Sequence, residues 1–239
     1  MKKLKYIFLL AGALSLASCE SWLDEDPQYT INTKTQFSTV ENAKQALMGC
    51  YGYMSADNAY GQAWQEVTFG YCGFGWSQTN GSSTDLLVSM DGGIDETINT
   101  MAWRGMYKVI GETNAFIANI ADSPLESADK LPMEAAARFL RALAYYNLAV
   151  TYGDVPLKTT PSAHDGVAVP RSPKNEVFEL VRTDWEFAYE NLPEKDDDGF
   201  ATKWAAKAYL GKLYHTVGCQ GDNTAWEKAK ACFDEVMPK

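Results

Sequence analysis

The residues best suited to chemistry lie between positions 55 and 96, where helical periodicity stops and aromatic rings are mixed with glycines. This stretch holds seven of the eighteen glycines of the chain. Exposed aromatic rings offer flat platforms for ligands. So long a loop in a compact domain is usually functional or disordered, and disordered segments are poor in aromatic residues. The composition therefore predicts a ligand-binding loop.

Three rings and two polar side chains within this loop are the candidate ligand contacts: Trp76, Tyr71, Phe74, Asn80 and Asp85. Trp76 is the leading candidate because Gly75 precedes it and a polar stretch follows it, a context that indicates exposure. The alternative is that these rings form a satellite core beneath the loop. Four other tryptophans fall on apolar helical stripes, which predicts core positions for them: Trp103, Trp185, Trp204 and Trp226.

A second chemical feature is Cys19, which follows a stretch that is typical of an export signal. Three lysines precede an apolar run over 6–17, and small residues stand directly before the cysteine. The run is too short to span a bilayer, which takes about 20 apolar residues. The pattern resembles a bacterial lipobox and predicts a signal peptide over 1–18, with a covalent lipid on Cys19 and no other cofactor. An ordinary signal peptide with an incidental cysteine is the alternative.

Composition and charge narrow the classes of function. The formal net charge of −10 leaves no visible basic face, so nucleic acid is not a predicted partner. The acidic turn over 194–199 hints at a calcium loop, but position 205 is alanine where that pattern needs glutamate, so no metal site is predicted. Neither G-x-S-x-G nor H-E-x-x-H occurs, and we predict no enzyme, although thirty-one acidic residues leave a catalytic carboxylate pair open.

Four cysteines remain beyond Cys19, and no two of them form a C-x-x-C pair: Cys50, Cys72, Cys219 and Cys232. Export from the cell permits disulfides between them. Buried free thiols in helices are the favoured interpretation because the four are scattered along the chain. The sequence leaves the pairing open.

Apolar periodicity predicts an all-α fold around the irregular aromatic and glycine-rich loop. Helices are predicted over 39–54, 97–121, 133–152, 173–192, 202–217 and 225–236. The last four form two pairs in which alanines and tyrosines recur at matching places, as in tetratricopeptide-type packing. An extended tether is predicted over 19–37 and a helical domain over 38–239. No polar capping helix closes the last pair, so we expect a longer protein to be truncated here.

Several motifs resemble those of the SusD/RagB family, which are nutrient-binding outer-membrane lipoproteins of Bacteroidetes. The signature is the helix over 135–146 followed by Tyr152-Gly153-Asp154-Val155-Pro156-Leu157. Further matches are the stretch over 19–27, Trp103-x-x-Met106-Tyr107 through Asn114, Arg171-Ser172-Pro173 and the stretch over 201–206. The motifs occur in family order over most of the chain, so the resemblance implies a SusD-like fold.

The resemblance also implies a function. Such a protein captures an oligosaccharide or similar nutrient at the cell surface, does no chemistry, and passes it to a SusC-like TonB-dependent transporter in the outer membrane. A sugar site needs ring faces and planar polar groups, which the loop supplies. Arg138 and Arg141 are expected to anchor neighbouring loops through carboxylates, with Asp154 as a candidate partner, rather than to contact ligand or transporter. The alternative function is a non-catalytic helical-repeat scaffold for protein partners.

Overall fold

The structure is a computed structural model that describes residues 33–73, 75, 88–90, 97–161, 169–196 and 199–237. The helices of these residues are α1 (Thr33–Gln36), α2 (Val40–Ser55), α3 (Ala63–Gly70), α4 (Thr97–Ala121), α5 (Ser127–Tyr152), α6 (Lys174–Asn191), α7 (Lys203–Cys219) and α8 (Ala225–Val236). A π-helical turn, Asp57–Gly61, lies between α2 and α3. Strands β1 (Val155–Pro156) and β2 (Arg171–Ser172) pair antiparallel. The all-α prediction is confirmed.

Consecutive helices pack on one another along the second half of the chain, as the repeat pattern predicts. Helix α5 packs on α6, α6 on α7, and α7 on α8. Trp185 of α6 lies at the centre of this packing and is completely buried. Its ring centroid is 5.5 Å from that of Tyr146 and 5.2 Å from that of Tyr209. Tilted aromatic contacts of this kind therefore join three successive helices.

Glycines on α7 allow α8 to approach closely. A Cβ on Gly211 would lie 2.7 Å from the Phe233 ring, and one on Gly218 would lie 2.8 Å from the Trp226 ring. Trp226 nevertheless keeps 40% of its surface exposed, although its ring lies against Gly218. The predicted core position is therefore wrong for Trp226, whereas it is confirmed for Trp185.

The irregular segment after α2 is shorter than the sequence predicts. Residues 57–61 form the π-helical turn and residues 63–70 form α3, which buries Trp64 and Val67. These pieces are too short to show a helical period, so periodicity alone misses them. Gly105 of α4 permits the packing, since a Cβ there would lie 1.9 Å from the Asn58 carbonyl oxygen.

Two predicted boundaries also differ from the structure. The compact unit begins at Thr33, because α1 is helical and the buried Phe37 ring meets Phe116 edge-to-face at 5.4 Å. The predicted tether is therefore wrong over 33–37, and its earlier part lies outside the described residues. Helix α5 begins at Ser127, six residues before the predicted start at position 133, and it includes Pro132. Burial of Met133 and the alanines that follow outweighs the one intrahelical hydrogen bond that proline removes.

Candidate ligand-binding site

The chain enters the predicted binding loop from α3 and leaves it into α4, and these two ends are in contact. The Asn99 amide nitrogen, in the first turn of α4, donates to the Tyr71 hydroxyl at 2.9 Å. The Tyr152 hydroxyl at the end of α5 donates to the Asn99 carbonyl oxygen at 3.3 Å. One turn of α4 therefore holds the start of the loop and the end of the signature helix together.

Three partly exposed rings stand side by side near this contact, and we call them the aromatic row: Tyr152, Trp103 and Tyr107. The centroid of Trp103 is 5.1 Å from that of Tyr152, edge-to-face, and 5.0 Å from that of Tyr107. Trp103 and Tyr107 are four residues apart on α4, so they project from the same helix face. The predicted core position of Trp103 is only partly met, because Trp103 packs against the core but remains partly accessible to solvent.

Burial extends the pH range over which the two phenols of the row stay protonated. It raises the pKa of Tyr152 to about 12, and it raises the pKa of Tyr107 further, in both cases because desolvation disfavours the phenolate. A neutral phenol both donates and accepts hydrogen bonds. The Tyr107 hydroxyl donates a hydrogen bond to the Pro156 carbonyl oxygen at 2.7 Å.

Only one of the predicted ligand contacts falls within the described residues. Tyr71 is 41% exposed, as a ligand-contacting ring must be, and its role stays a prediction. The other four predicted contacts lie outside the described residues, as does the predicted lipidation site: Trp76, Phe74, Asn80, Asp85 and Cys19. The sequence did not point to Asn99, whose amide ties Tyr71 to α4, because a single asparagine at the start of a helix carries no distinctive signal.

The signature arginines are paired with a buried carboxylate. The Nε and Nη2 atoms of Arg141 donate to the two carboxylate oxygens of Asp184, each at 2.8 Å. Arg138 reaches the same carboxylate with Nη1 at 3.3 Å. The anchoring role is as predicted, but the predicted partner Asp154 is wrong. Asp154 instead accepts from the Lys174 backbone nitrogen at 2.8 Å, because the free N–H groups at the start of α6 attract it.

The same network fixes the segment that follows α5. Arg141 Nη1 donates to Asn114 Oδ1 at 2.9 Å, and Asn114 Nδ2 donates to the carbonyl oxygens of Lys158 and Thr160 at 3.0 and 3.2 Å. The Tyr145 hydroxyl accepts from the Lys158 nitrogen at 2.6 Å and donates to the Lys158 carbonyl oxygen at 2.8 Å. Side chains of the signature and of α4 therefore hold residues 156–160 against α4.

The described residues also bear on the metal site, the membrane span and the state of the cysteines. Among the residues that the structure describes, no three metal-ligating side chains come together, and no helix is both long and apolar enough to cross a membrane. The predicted acidic turn over 194–199 lies only partly within those residues. Cys50 and Cys232 are buried free thiols, as predicted, whereas Cys72 and Cys219 are free but exposed.

Comparison with known proteins gives the family. The sequence matches the SusD-like family, described as starch-binding and associating with the outer membrane, over residues 21–215. The chain belongs to this family, which confirms the resemblance inferred from the motifs.

Relatives of known sequence are longer than this chain. The chain is 25% identical to SusD-like protein P25 of Formosa agariphila over 223 residues, which are 87% of this chain and 42% of that protein. It is 28% identical to a SusD-like protein of Bacteroides ovatus over 218 residues, which are 89% of this chain and 39% of that protein. The chain thus spans less than half the length of these relatives.

Solved structures confirm the SusD-like fold. A SusD homologue of Bacteroides thetaiotaomicron has a TM-score of 0.77 at 23% identity, over 87% of this chain and 42% of that one. A laminarin-binding SusD-like protein has a TM-score of 0.71 at 25% identity, over 83% of this chain and 43% of that one. A crystal structure determined with a xylogluco-oligosaccharide has a TM-score of 0.69 at 25% identity, over 80% of this chain and 40% of that one.

Proposed function

We propose that this chain is the glycan-capturing part of a cell-surface lipoprotein, and that it binds an oligosaccharide through the aromatic row and the loop after Tyr71. The observation that carries the proposal is the aromatic row, whose three rings are held side by side and partly open to solvent. Sugar rings stack their C–H faces on such surfaces. Planar polar groups such as Asn80 and Asp85 would bind the hydroxyls.

Two solved relatives support the ligand class. One is described as laminarin-binding, and the other was determined with a xylogluco-oligosaccharide. Both ligands are carbohydrates, so we extend this class to the present chain. Stacking on a ring face is tolerant of sugar identity, so the row accounts for the ligand class, and the loop would select the sugar.

We further propose that the bound glycan is not transformed but is passed to a SusC-like TonB-dependent transporter. The family description supports binding at the outer membrane. The export signal and Cys19 support a lipid anchor that keeps the chain on the cell surface. Hydrolysis of a glycosidic bond would need two opposed carboxylates, whereas ring surface and hydrogen-bonding groups suffice for capture.

Native electrophoresis in gels that contain a soluble polysaccharide tests glycan capture. We expect starch, laminarin or xyloglucan to slow the full-length chain. Tyr71→Ala and Trp76→Ala should each weaken retention about tenfold, because each removes a stacking ring. Trp226→Ala is the matched control, since Trp226 is 40% exposed against 41% for Tyr71, and it should leave retention unchanged.

The outcomes of this experiment separate the proposed function from its alternative. Full retention of both loop variants, with unchanged circular dichroism, would contradict the proposed site. A folded chain that none of the polysaccharides slows would favour the helical-repeat scaffold instead.

Membrane anchoring is tested separately with Cys19→Ser in a Bacteroidetes host. The wild-type chain should incorporate labelled palmitate and sediment with outer membranes, and the variant should lose both properties. Co-purification of a TonB-dependent β-barrel with the wild-type chain would support the transporter as partner. Palmitate labelling of the variant would contradict lipidation at Cys19.

A further inference from the structure

We infer that the cleft between α4 and residues 158–161 is a second ligand site, which takes a small hydroxylated ligand carrying a carboxylate, such as a uronic acid. The cleft has a volume of about 390 Å³. This lies within the range of small-molecule sites in proteins, about 300–1,000 Å³. We call it the α4 cleft, and six of its lining residues carry the argument: Tyr107, Lys108, Gly111, Glu112, Lys158 and Pro161.

The wall of the α4 cleft is held rigidly. Asn114 is 2% exposed, and its side-chain nitrogen donates to the carbonyl oxygens of Lys158 and Thr160. The side-chain oxygen of Asn114 accepts a hydrogen bond from Arg141. Tyr145 holds the backbone of Lys158 through both its nitrogen and its oxygen. A wall fixed by buried hydrogen bonds keeps its shape without ligand, which lowers the entropy that binding costs.

The floor of the α4 cleft is open because Gly111 has no side chain. No described heavy atom outside its own helix turn lies within 4 Å of the position that a Cβ would take. The other glycine of α4, Gly105, differs, because the Asn58 backbone occupies the corresponding space. A larger side chain at position 111 would therefore enter the α4 cleft without disturbing the core.

The charged groups around the α4 cleft select the ligand. Lys108 Nζ lies 2.6 Å from Glu112 Oε1, so these two charges offset each other. Lys158 lines the cleft and is partly buried, and no carboxylate of the described residues forms a salt bridge with it. Lys158 is the positive charge that we assign to the ligand carboxylate. Glu112 can accept hydrogen bonds from ligand hydroxyls, and Tyr107 and Pro161 supply apolar contact for a sugar ring.

Calorimetric titration of the full-length chain with methyl β-glucuronide and methyl β-glucoside tests this inference, since the two probes differ only in the carboxylate. We expect the glucuronide to bind about tenfold more tightly, because it gains a charge-assisted hydrogen bond. Lys158→Ala should remove this preference. Gly111→Leu should abolish binding of both probes, while Gly49→Leu on the open face of α2 gains the same helix propensity and should bind normally.

Tyr107 belongs both to the aromatic row and to the α4 cleft, so the two sites are told apart by other residues. Tyr71→Ala should leave glucuronide binding unchanged, whereas Lys158→Ala should weaken it. Equal affinity for the two probes, or glucuronide binding that Lys158→Ala leaves unchanged, would overturn the inference. The Lys158 variant decides the matter even where Gly111→Leu fails to fold, since Lys158 holds the wall through its backbone and the substitution keeps that backbone.

Discussion

Asp184 joins three helices through one carboxylate. It is completely buried on α6 and accepts hydrogen bonds from both signature arginines of α5. Arg141 in turn binds Asn114 of α4. A buried carboxylate is tolerated only when it is paired and hydrogen-bonded. Asp184 follows Val181 and precedes Trp185 on the apolar stripe of α6, and a charge at such a position is itself a signal of a buried ion pair.

We expect Asp184→Asn to lower the free energy of unfolding by about 3–5 kcal/mol, because it leaves a buried guanidinium without its counter-charge. Urea unfolding of the two proteins measures this difference. Asp234→Asn is the control, since Asp234 pairs with Lys230 on the surface of α8 and its loss should change the free energy of unfolding far less than the loss of Asp184. Similar small changes in the two variants would contradict the role assigned to Asp184.

The cysteines should differ in reactivity according to their burial. Burial raises the pKa of the Cys50 thiol to about 12, and desolvation also raises the pKa of Cys232. The thiolate is the reactive form, so both should resist iodoacetamide at pH about 8 in the folded chain. Cys72 and Cys219 are exposed and should react first. Peptide mass spectrometry would reveal the order, and early labelling of Cys50 would contradict the packing of α2.

At the scale of elements, α4 organises the molecule. It contacts α2, α3, α5 and the π-helical turn, and it carries Trp103, Tyr107 and Asn114 toward the two proposed sites. Its close contact with the π-helical turn depends on Gly105, because only a residue without a Cβ leaves room for the Asn58 carbonyl oxygen. The position of α3, and with it the start of the binding loop, follows from that contact.

Gly105→Ala should therefore destabilise the chain by about 1–3 kcal/mol, since the new methyl group must push the π-helical turn away from α4. Thermal unfolding followed by circular dichroism measures the effect. Gly52→Ala provides the opposite case, because no described atom lies within 4 Å of its Cβ position in α2, and alanine should stabilise the helix by about 0.5–1 kcal/mol. Stabilisation by both substitutions would contradict the packing around Asn58.

How well the sequence predicts an element depends on its length. Helix α4 was predicted over 97–121 and is observed as Thr97–Ala121, because its 25 residues carry many repeats of one apolar stripe. The π-helical turn and α3 have 5 and 8 residues, and tertiary contacts through Gly105 and Trp64 hold them. Their position depends on residues far away in the sequence, so a local pattern could not reveal it.

At the scale of the whole molecule, buried phenols make stability depend on alkaline pH. Burial raises the pKa of Tyr51, Tyr60 and Tyr152 from the usual value of 10.0 to about 12. The unfolded chain loses these protons first, so folding stability is complete below pH 10 and falls as the pH rises toward 12. Urea midpoints measured across this window should decrease, and Tyr60→Phe should make the decrease smaller. A constant midpoint up to pH 12 would contradict the burial of these rings.

The family and the fold were accessible from the sequence, whereas of the proposed site the sequence predicted Tyr71 but not the aromatic row. The motifs that identified the SusD-like family include Arg141 and Tyr145, and the structure shows that these side chains help to hold residues 156–160 against α4. Tyr71 was predicted from its composition alone. The aromatic row was not predicted, because it unites α4 with the end of α5, and Tyr152 lies 49 positions after Trp103. Contacts between elements so far apart in the sequence become visible only in the folded structure.

A crystal structure of the chain with the oligosaccharide that it binds most strongly would test the central claim most directly. We predict a sugar ring stacked on the aromatic row or on Tyr71, with the loop after Tyr71 closing on its hydroxyls. A glycan bound on another surface, with the aromatic row and Tyr71 uncovered, would contradict the proposed capture site.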